Sequence, residues 1–489
     1  MRFYLYQLNG KLGDMQENAR KIASFTQNFK NDVCTLLPSL PLIQHPYSAV
    51  SHIGGFFERV KQHKLISKNT NIVYESLHKG EKFFWKKTGD ITLKNSLIQT
   101  GTVKIFAPHC QEPDFACFLK KLAVPKKANL IYFAAAHSFY EGFDIQALLS
   151  RFAKKHKKAL VYVNACGASD GTVFAGQSML FDKKGSLLLK LNPFSEDSAY
   201  FDFDGSTLQA EAREIPNINA DGLLFLAAKK AVIGLSGGMD SALVAALACE
   251  ALGNENVTGI IMPSEYNSKE SMDDALNLAR NLGMSCHVIP ISDITRSFEN
   301  ALADSFAKEK SFENDTTSEN IQARTRGNLL TAYANKIKAM VIGTGNKSEA
   351  AMGYCTLYGD TVGALEPIAD IYKSRVYAVA KWFNESKKEE IIPGNVFVKA
   401  PTAELKPNQK DEDTLPPYPY LDNVLFQLLE QGKNPEKIQE EHLTPDDISL
   451  IYHRLKTSEF KRKQCPFPVI LSSCPFGKKW NPPSSAKIF

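Results

Sequence analysis

Hydrophobic and polar positions alternate in blocks along this chain. Ile105-Phe106-Ala107, Leu130–Ala134 and Ala159–Asn164 are short apolar runs that predict buried strands, and Leu148–Lys154 carries a helical pattern. Strands interleaved with helices over residues 1–205 predict an α/β layered domain. The stretch Phe201–Asn219 is polar, with Asp, Gly and Pro, and predicts a linker, whose bounds are set at 206–222. A second domain, 223–489, opens with a predicted strand at Lys230–Leu235, a tight loop at Ser236–Ser241 and a helix at Ala242–Leu252 closed by Gly253. A strand at Val257–Met262, a helix at Ser271–Leu282 and a strand at Cys286–Ile291 follow, an order that predicts a doubly wound parallel sheet. Residues 301–317 and 399–420 are polar and charged and predict loops.

Composition narrows the class. With 489 residues the chain is too long for one core. A net charge of +5 is a mild excess that gives no case for nucleic acid. The nine cysteines show no metal-spaced CxxC pair, and a reducing compartment is expected. No apolar run approaches the roughly 18 residues of a membrane span, and Met1–Tyr6 reads as a strand rather than a signal peptide. A cytoplasmic protein with no membrane partner is the expectation.

Chemistry enters at Gly234-Leu235-Ser236-Gly237-Gly238-Met239-Asp240-Ser241, between strand and helix. Two glycines let backbone N–H groups crowd an anion, and the helix N-terminus adds partial positive charge. Asp240 inside an anion site implies a cation, Mg²⁺. The GK[ST] ending of a Walker loop is absent. The loop resembles the pyrophosphate loop of N-type ATP pyrophosphatases. By itself it does not separate NAD synthetases from GMP synthetases, asparagine synthetases or tRNA-modifying relatives.

Later strings do. Ser318–Arg326, Gly343–Glu349, Gly353–Asp360, Tyr372-Lys373, Lys399–Leu405, Gln409–Asp413 and Glu459–Gln464 stand in an order that resembles the synthetase domain of two-domain, glutamine-dependent NAD synthetases. The resemblance covers roughly residues 230–485. It implies a carbon–nitrogen ligase in NAD biosynthesis, with the adenine nucleotide α-hydrolase type of fold. Deamido-NAD would be adenylated by ATP, then amidated. It further implies that Asp240, Glu349 and Thr402 contact Mg²⁺ or phosphate, that Lys373 stands on the ATP phosphates, and that Thr344 lies against the nucleotide. Asn320, Arg324, Glu349, Asp360 and Lys461 would hold deamido-NAD. A homo-oligomer, at least a dimer through the synthetase domain, is implied as well.

In the first domain, Gln7–Asp14 with Asn18-Ala19 and Ile22, then Tyr162-Val163-Asn164 with Gly167, Asp170, Phe174, Gly176 and Ser178, resemble a nitrilase-type amidase sandwich. Such an amidase needs a cysteine, a lysine and a glutamate base. Ser39 falls where the glutamate belongs, Cys110 at the nucleophile position followed by Gln111, and Lys86 or Lys87 at the lysine. A vestigial amidase using free ammonia, a working amidotransferase with a re-sited base, and a docking or oligomerisation module are the readings left open.

Overall fold

The computed structural model describes residues 1–9, 15–26, 33–38, 70–75, 82–86, 89–92, 97–100, 102–108, 115–137, 144–169, 172–212, 230–309, 315–477 and 479–482. Ser39, Lys87, Cys110 and Gln111 lie outside them. The chain divides into two compact units, Met1–Gly222 and Leu223–Phe489.

In the first unit the strands are β1 (Arg2–Gln7), β2 (Val33–Leu36), β3 (Thr70–Glu75), β4 (Lys82–Lys86), β5 (Gly89–Thr92), β6 (Leu97–Thr100), β7 (Val103–Phe106) and β8 (Leu130–Ala135). They continue as β9 (Ala159–Asn164), β10 (Cys166–Ser169), β11 (Thr172–Ala175), β12 (Met179–Phe181), β13 (Leu187–Lys190), β14 (Asp197–Phe203) and β15 (Leu208–Ala210). One sheet runs β15-β14-β1-β2-β3-β4-β5 and another β13-β12-β9-β8-β7-β6. Phe3, Leu5, Leu36 and Phe201 from the first share a buried core with Val103, Ile105, Leu130, Tyr132 and Val161 from the second. The two sheets are therefore packed face to face.

Helices cover the outer faces. Helix α1 (Met15–Thr26) stacks Phe25 on Tyr6 of β1, with ring centroids 4.2 Å apart. On the other side α2 (Phe115–Lys121) and α3 (Ile145–His156) bury Phe115, Leu119, Leu149 and Phe152 against Ile131, Phe133 and Leu160. The continuous buried runs of β8 and β9 thus make both faces of the second sheet apolar, as a covered sheet requires.

The expected linker begins too early. Phe201 to Phe203 belong to β14 and Leu208 to Ala210 to β15, which extend the first sheet antiparallel beyond β1. Ala199, Phe201 and Phe203 are buried, while Tyr200 and Asp202 between them are half-exposed, and that alternation hid the strand among polar neighbours.

The second unit holds β16 (Ala231–Gly234), β17 (Val257–Ile261), β18 (Ser285–Val288) and β19 (Met340–Val341), all parallel, in the order β18-β17-β16-β19. Helices α4 (Met239–Leu252), α5 (Lys269–Leu282), α6 (Ser292–Phe306), α7 (Thr317–Ile337), α8 (Lys347–Met352) and α9 (Lys373–Lys387) are interleaved with the strands or follow them. One face of the sheet packs on α4, α5 and α9, and the other packs Val232, Ile260 and Val341 on Leu330 and Ala334 of α7. The sheet is doubly wound. Helix α4 is buried on nearly every side, so its alanines at 242, 245, 246 and 248 let sheet and helices approach closely. A further helical cluster joins α8 to helices Tyr418–Leu429 and Pro445–Thr457.

Two boundaries depart from expectation. Met239, Asp240 and Ser241 form the first turn of α4 rather than a loop. Residues 301–306 are the end of α6 rather than a loop; that helix has no buried residue, so its sequence carries little apolar signal. Among the described residues no helix is long and apolar enough to cross a membrane.

Candidate active site

Strand order reverses between β16 and β19, because β17 lies to one side of β16 and β19 to the other. In open α/β sheets that switch point, at the carboxyl ends of the strands, opens a crevice. Here a cleft is lined by Gly234–Ser236, Gly238–Ser241, Gly343–Gly345, Glu349, Asp360, Lys373, Thr402, Glu404 and Asp411.

The loop after β16 is built for an anion. Gly237 has φ +77°, and a Cβ there would lie 2.0 Å from the Ser271 carbonyl oxygen. Only glycine fits that conformation and that approach. Gly238 is the N-cap of α4 and supplies no capping side chain, so the first-turn N–H groups stay open toward the cleft side of the loop. The hydroxyls are tied inward: the Ser236 and Ser241 oxygens lie 3.0 Å apart, and the Gly238 N–H donates to Ser236 Oγ at 3.1 Å.

Charges converge at the helix start. The Lys373 ammonium donates to an Asp240 carboxylate oxygen and lies 3.6 Å from Glu349 Oε1. Asn346 Nδ2 donates to Asp240 Oδ1 at 3.1 Å. Glu349 and Asn346 form a reciprocal capping box on α8, so Glu349 both caps its helix and lines the cleft. Burial and then the Asp240 charge push the Glu349 carboxyl up to about 8, partly opposed by Lys373. Burial disfavours the Lys373 ammonium, but Asp240 and Glu349 outweigh it and hold the lysine charged.

Among the expected ligand residues, Thr344, Glu349, Asp360, Lys373 and Thr402 line the cleft together with Gly234, Leu235, Ser236, Gly238, Met239, Asp240 and Ser241. Thr402 Oγ1 donates to the Gln409 carbonyl at 2.5 Å, so its hydroxyl hydrogen is spent on its own loop. Asp360 Oδ1 accepts from the Thr356 N–H at 2.6 Å, and crowding by the cleft wall lifts its carboxyl above the usual carboxylate range.

Asn320, Arg324 and Lys461 stand elsewhere, around the turn 353–360. Thr356 Oγ1 donates to Asn320 Oδ1 at 2.8 Å, Arg324 Nε to the Leu357 carbonyl at 3.2 Å, and Lys461 Nζ to the carbonyls of Gly353 and Cys355. All three grip the segment that carries Asp360.

The structure adds residues absent from the expected site. Arg326 lines the cleft and donates to the Met262 carbonyl and Asn267. Burial lowers its guanidinium to about 10. Asp411 lines it too; its Oδ2 accepts from the Tyr418 hydroxyl at 2.9 Å, and burial raises its carboxyl. Lys399 ties the loop after β16 to α5, donating to the Gly237 carbonyl at 3.1 Å and Ser271 Oγ at 2.6 Å.

In the first unit, the motif residues form a scaffold. The buried Gln7 amide donates to the carbonyls of Asn192 and Ser195, both at 2.7 Å, and accepts from Ser178. Gly176 leaves room for it, since a Cβ would lie 2.2 Å from Gln7 Nε2. Lys86 is the last residue of β4, opposite Gly89.

The family model described as NAD synthase matches residues 221–465. The glutamine-dependent NAD(+) synthetase of Thermotoga maritima is 34% identical, over 97% of this chain and 88% of that one. Its namesake from Aquifex aeolicus is 34% identical over 96% and 88%. A solved glutamine-dependent NAD+ synthetase from Acinetobacter baumannii, in complex with ADP, matches with a TM-score of 0.73 and 25% identity, over 98% of this chain and 97% of that one. With a nitrilase-like sandwich in front of a doubly wound ATP-pyrophosphatase sheet, the chain belongs to the family of two-domain glutamine-dependent NAD synthetases, carbon–nitrogen ligases of NAD biosynthesis.

Proposed function

We propose that the cleft of the second unit adenylates the deamido-NAD carboxylate and that free ammonia completes the amide. The observation that carries the first half is the convergence of Asp240, Lys373 and Glu349 on a strand–loop–helix anion site. Attack of a carboxylate on the α-phosphorus of ATP joins two anions. The open N–H groups of α4 offset charge on the phosphates, and Lys373, held charged, offsets more as pyrophosphate departs. Asp240 and Glu349 are a donor set of hard oxygens that fits Mg²⁺, and Thr402 adds its oxygen lone pairs from across the cleft. Such an ion would neutralise the phosphates. Thr344 stands against the nucleotide. The turn 353–360, braced by Asn320, Arg324 and Lys461, presents Asp360 to deamido-NAD. Ammonia then attacks the acyl carbon and AMP leaves, with alignment of the two as the main contribution of the protein.

Ammonia as donor departs from the names of the relatives. Ser39 stands where the amidase base belongs, and a hydroxyl is no base near neutral pH. Gln111 follows Cys110 in place of an acidic residue. The knot around Gln7 and Ser178 is packing and survives loss of catalysis. The glutamine-dependent relatives favour a second reading, a working amidase with a re-sited base. Comparing NAD formation with ammonium and with glutamine decides. Turnover with ammonium, unchanged in Cys110→Ala, is expected; glutamine-driven turnover abolished by Cys110→Ala would overturn the ammonia reading.

Among its described residues the second unit also carries an exposed apolar face. Ile294, Phe298 and Phe306 on α6 and Val288 on the edge strand β18 are exposed. A second copy covering this face gives a dimer through the synthetase domain, which sedimentation velocity reads directly. The cytoplasm is the compartment this reading requires, since ATP and deamido-NAD are met there.

A further inference from the structure

A strap of chain, residues 399–411, runs along one wall of the cleft and brings Thr402 and Asp411 to it. Glu404 lies within it at φ +49°, a left-handed backbone that a residue with a side chain holds only when its surroundings fix it. Its carboxylate supplies that fixing. Oε1 accepts from Ser271 Oγ at 2.6 Å and from Ser268 Oγ at 3.0 Å, and Oε2 accepts from Asn267 Nδ2 at 2.9 Å. Ser268 is the N-cap of α5, its oxygen accepting from the Ser271 N–H at 3.1 Å, so the carboxylate sits at the positive end of that helix.

The donors lead in two directions. Ser271 Oγ also accepts from Lys399, which donates to the Gly237 carbonyl as well. Lys399 and Glu404, at either end of one short segment, therefore both grip Ser271, and Lys399 carries the grip to the loop after β16. Asn267 leads the other way. Its Oδ1 accepts from the Ser264 N–H at 2.7 Å and from Arg326 Nη2 at 3.2 Å, and those bonds fix which way the amide faces. Its Nδ2 must then point at Glu404, and Arg326, which lines the cleft, is aimed through it. Burial disfavours the charge on the Arg326 guanidinium, and Glu404 is the acid that opposes this.

We propose that Glu404 is a positioning residue for the nucleotide: its one carboxylate latches the strap to the start of α5, steadies the loop after β16 through Ser271 and Lys399, and aims Arg326 through Asn267. The inference rests on the reading that the cleft takes ATP. Glu404 acts through these partners and not on the phosphates, since both its oxygens are engaged and its charge repels theirs. An amide cannot replace it. With one accepting oxygen, it either sets an NH2 against Asn267 Nδ2, donor to donor, or turns that NH2 to hydroxyl oxygens that already accept from the Ser271 N–H and Lys399. Exchanging both partners, Glu404→Gln with Asn267→Asp, makes every bond again with one reversed. A carboxylate at position 267 accepts from Ser264, Arg326 and the new amide, whose oxygen keeps the two serines.

The test titrates the full chain with MgATP by calorimetry and follows pyrophosphate release against ATP and deamido-NAD. Glu404→Gln should weaken MgATP binding about tenfold or more and raise the KM for ATP. The KM for deamido-NAD should stay, because Asn320, Arg324 and Lys461 brace a different segment. The double variant should return to within about threefold of the natural chain, as a coupled pair does. Lys406→Ala removes another strap contact, Lys406 Nζ to Glu319 Oε1 at 3.6 Å, and should change neither constant. Normal MgATP binding by Glu404→Gln, a double variant no better than the single one, or an equal loss in Lys406→Ala would overturn the proposal. Should Glu404→Gln not fold, the double variant carries the test, and weak MgATP binding by it would overturn the proposal too. A natural chain that binds MgATP, with variants that respond as expected, yet releases no pyrophosphate with deamido-NAD would instead sink the functional assignment.

Discussion

Glu349→Gln separates the two tasks of one side chain. The amide keeps the shape, and its oxygen can still accept the Asn346 N–H that closes the capping box. What it loses is the charged form. In the folded chain the carboxyl titrates at about 8 against an ordinary 4.5, because burial and then Asp240 oppose its ionisation. A carboxyl raised in this way holds its proton in the folded state. Its stabilisation is complete below the unfolded value and is lost as pH climbs from about 4.5 to about 8. At about 1.4 kcal/mol per pH unit the ceiling on that loss is about 5 kcal/mol. The cleft side of the group is open, so water entering on ionisation leaves about 1–3 kcal/mol to be seen, or roughly 3 °C per kcal/mol in a domain of this size. Thermal unfolding of the ligand-free protein at pH 5 and pH 8.5 measures it. The natural chain should lose more stability over that interval than the Gln variant. Below about pH 4.5 the two should be almost equally stable, and by pH 7 the Gln variant should be the more stable, yet adenylation in the variant should fall about 10²–10³-fold, read by pyrophosphate release with deamido-NAD. Parallel pH curves would refute the account of the buried carboxyl, and near-normal pyrophosphate release would refute its place in the phosphate site.

Two further substitutions probe what holds the site in place. Gly237→Ala puts a Cβ 2.0 Å from the Ser271 carbonyl in a φ +77° backbone; ATP binding by calorimetry should be lost and stability should drop by about 1–3 kcal/mol, and normal ATP affinity would contradict the loop geometry. Lys347 is fully buried with its ammonium 3.0 Å from Asp370 and 2.6 Å from Glu430, so Lys347→Met strands two buried carboxylates and should cost about 3–5 kcal/mol by denaturant unfolding; a cost under about 1 kcal/mol would mean the two acids find other partners.

Strands β16 and β17 were legible because both of their faces are covered, so Ala231–Gly234 and Val257–Ile261 read as mainly apolar runs. The glycine loop after β16 was legible because Gly237 is required locally, by its φ and its approach to Ser271. Features set by tertiary contact were not. Asp411 opens the run Asp411-Glu412-Asp413, whose composition suggests a solvated loop, but Asp411 is buried against Tyr418 while the other two are exposed. Arg326 resembles a helix-surface charge until α7 packs it beneath the end of β17. Helix α6 was cut short because a helix with nothing buried has no apolar stripe to display. At β14, the partner strand that makes its alternation meaningful is β1, almost two hundred residues away.

The ion pair of Lys373 with Asp240 has a thermodynamic consequence. Before any ligand arrives, the lysine is engaged by Asp240 and stands beside the Glu349 carboxyl, which holds its proton below about pH 8. On the proposed reading of the cleft, bare triphosphate would meet no free ammonium at Lys373, and a divalent ion alone would have to displace the lysine from Asp240. Arriving together, each takes the partner the other has released, so the affinity of either should rise by a common factor in the presence of the other, as linkage demands. On the proposed reading, the cleft should therefore act as a coincidence detector for the nucleotide and its counter-ion.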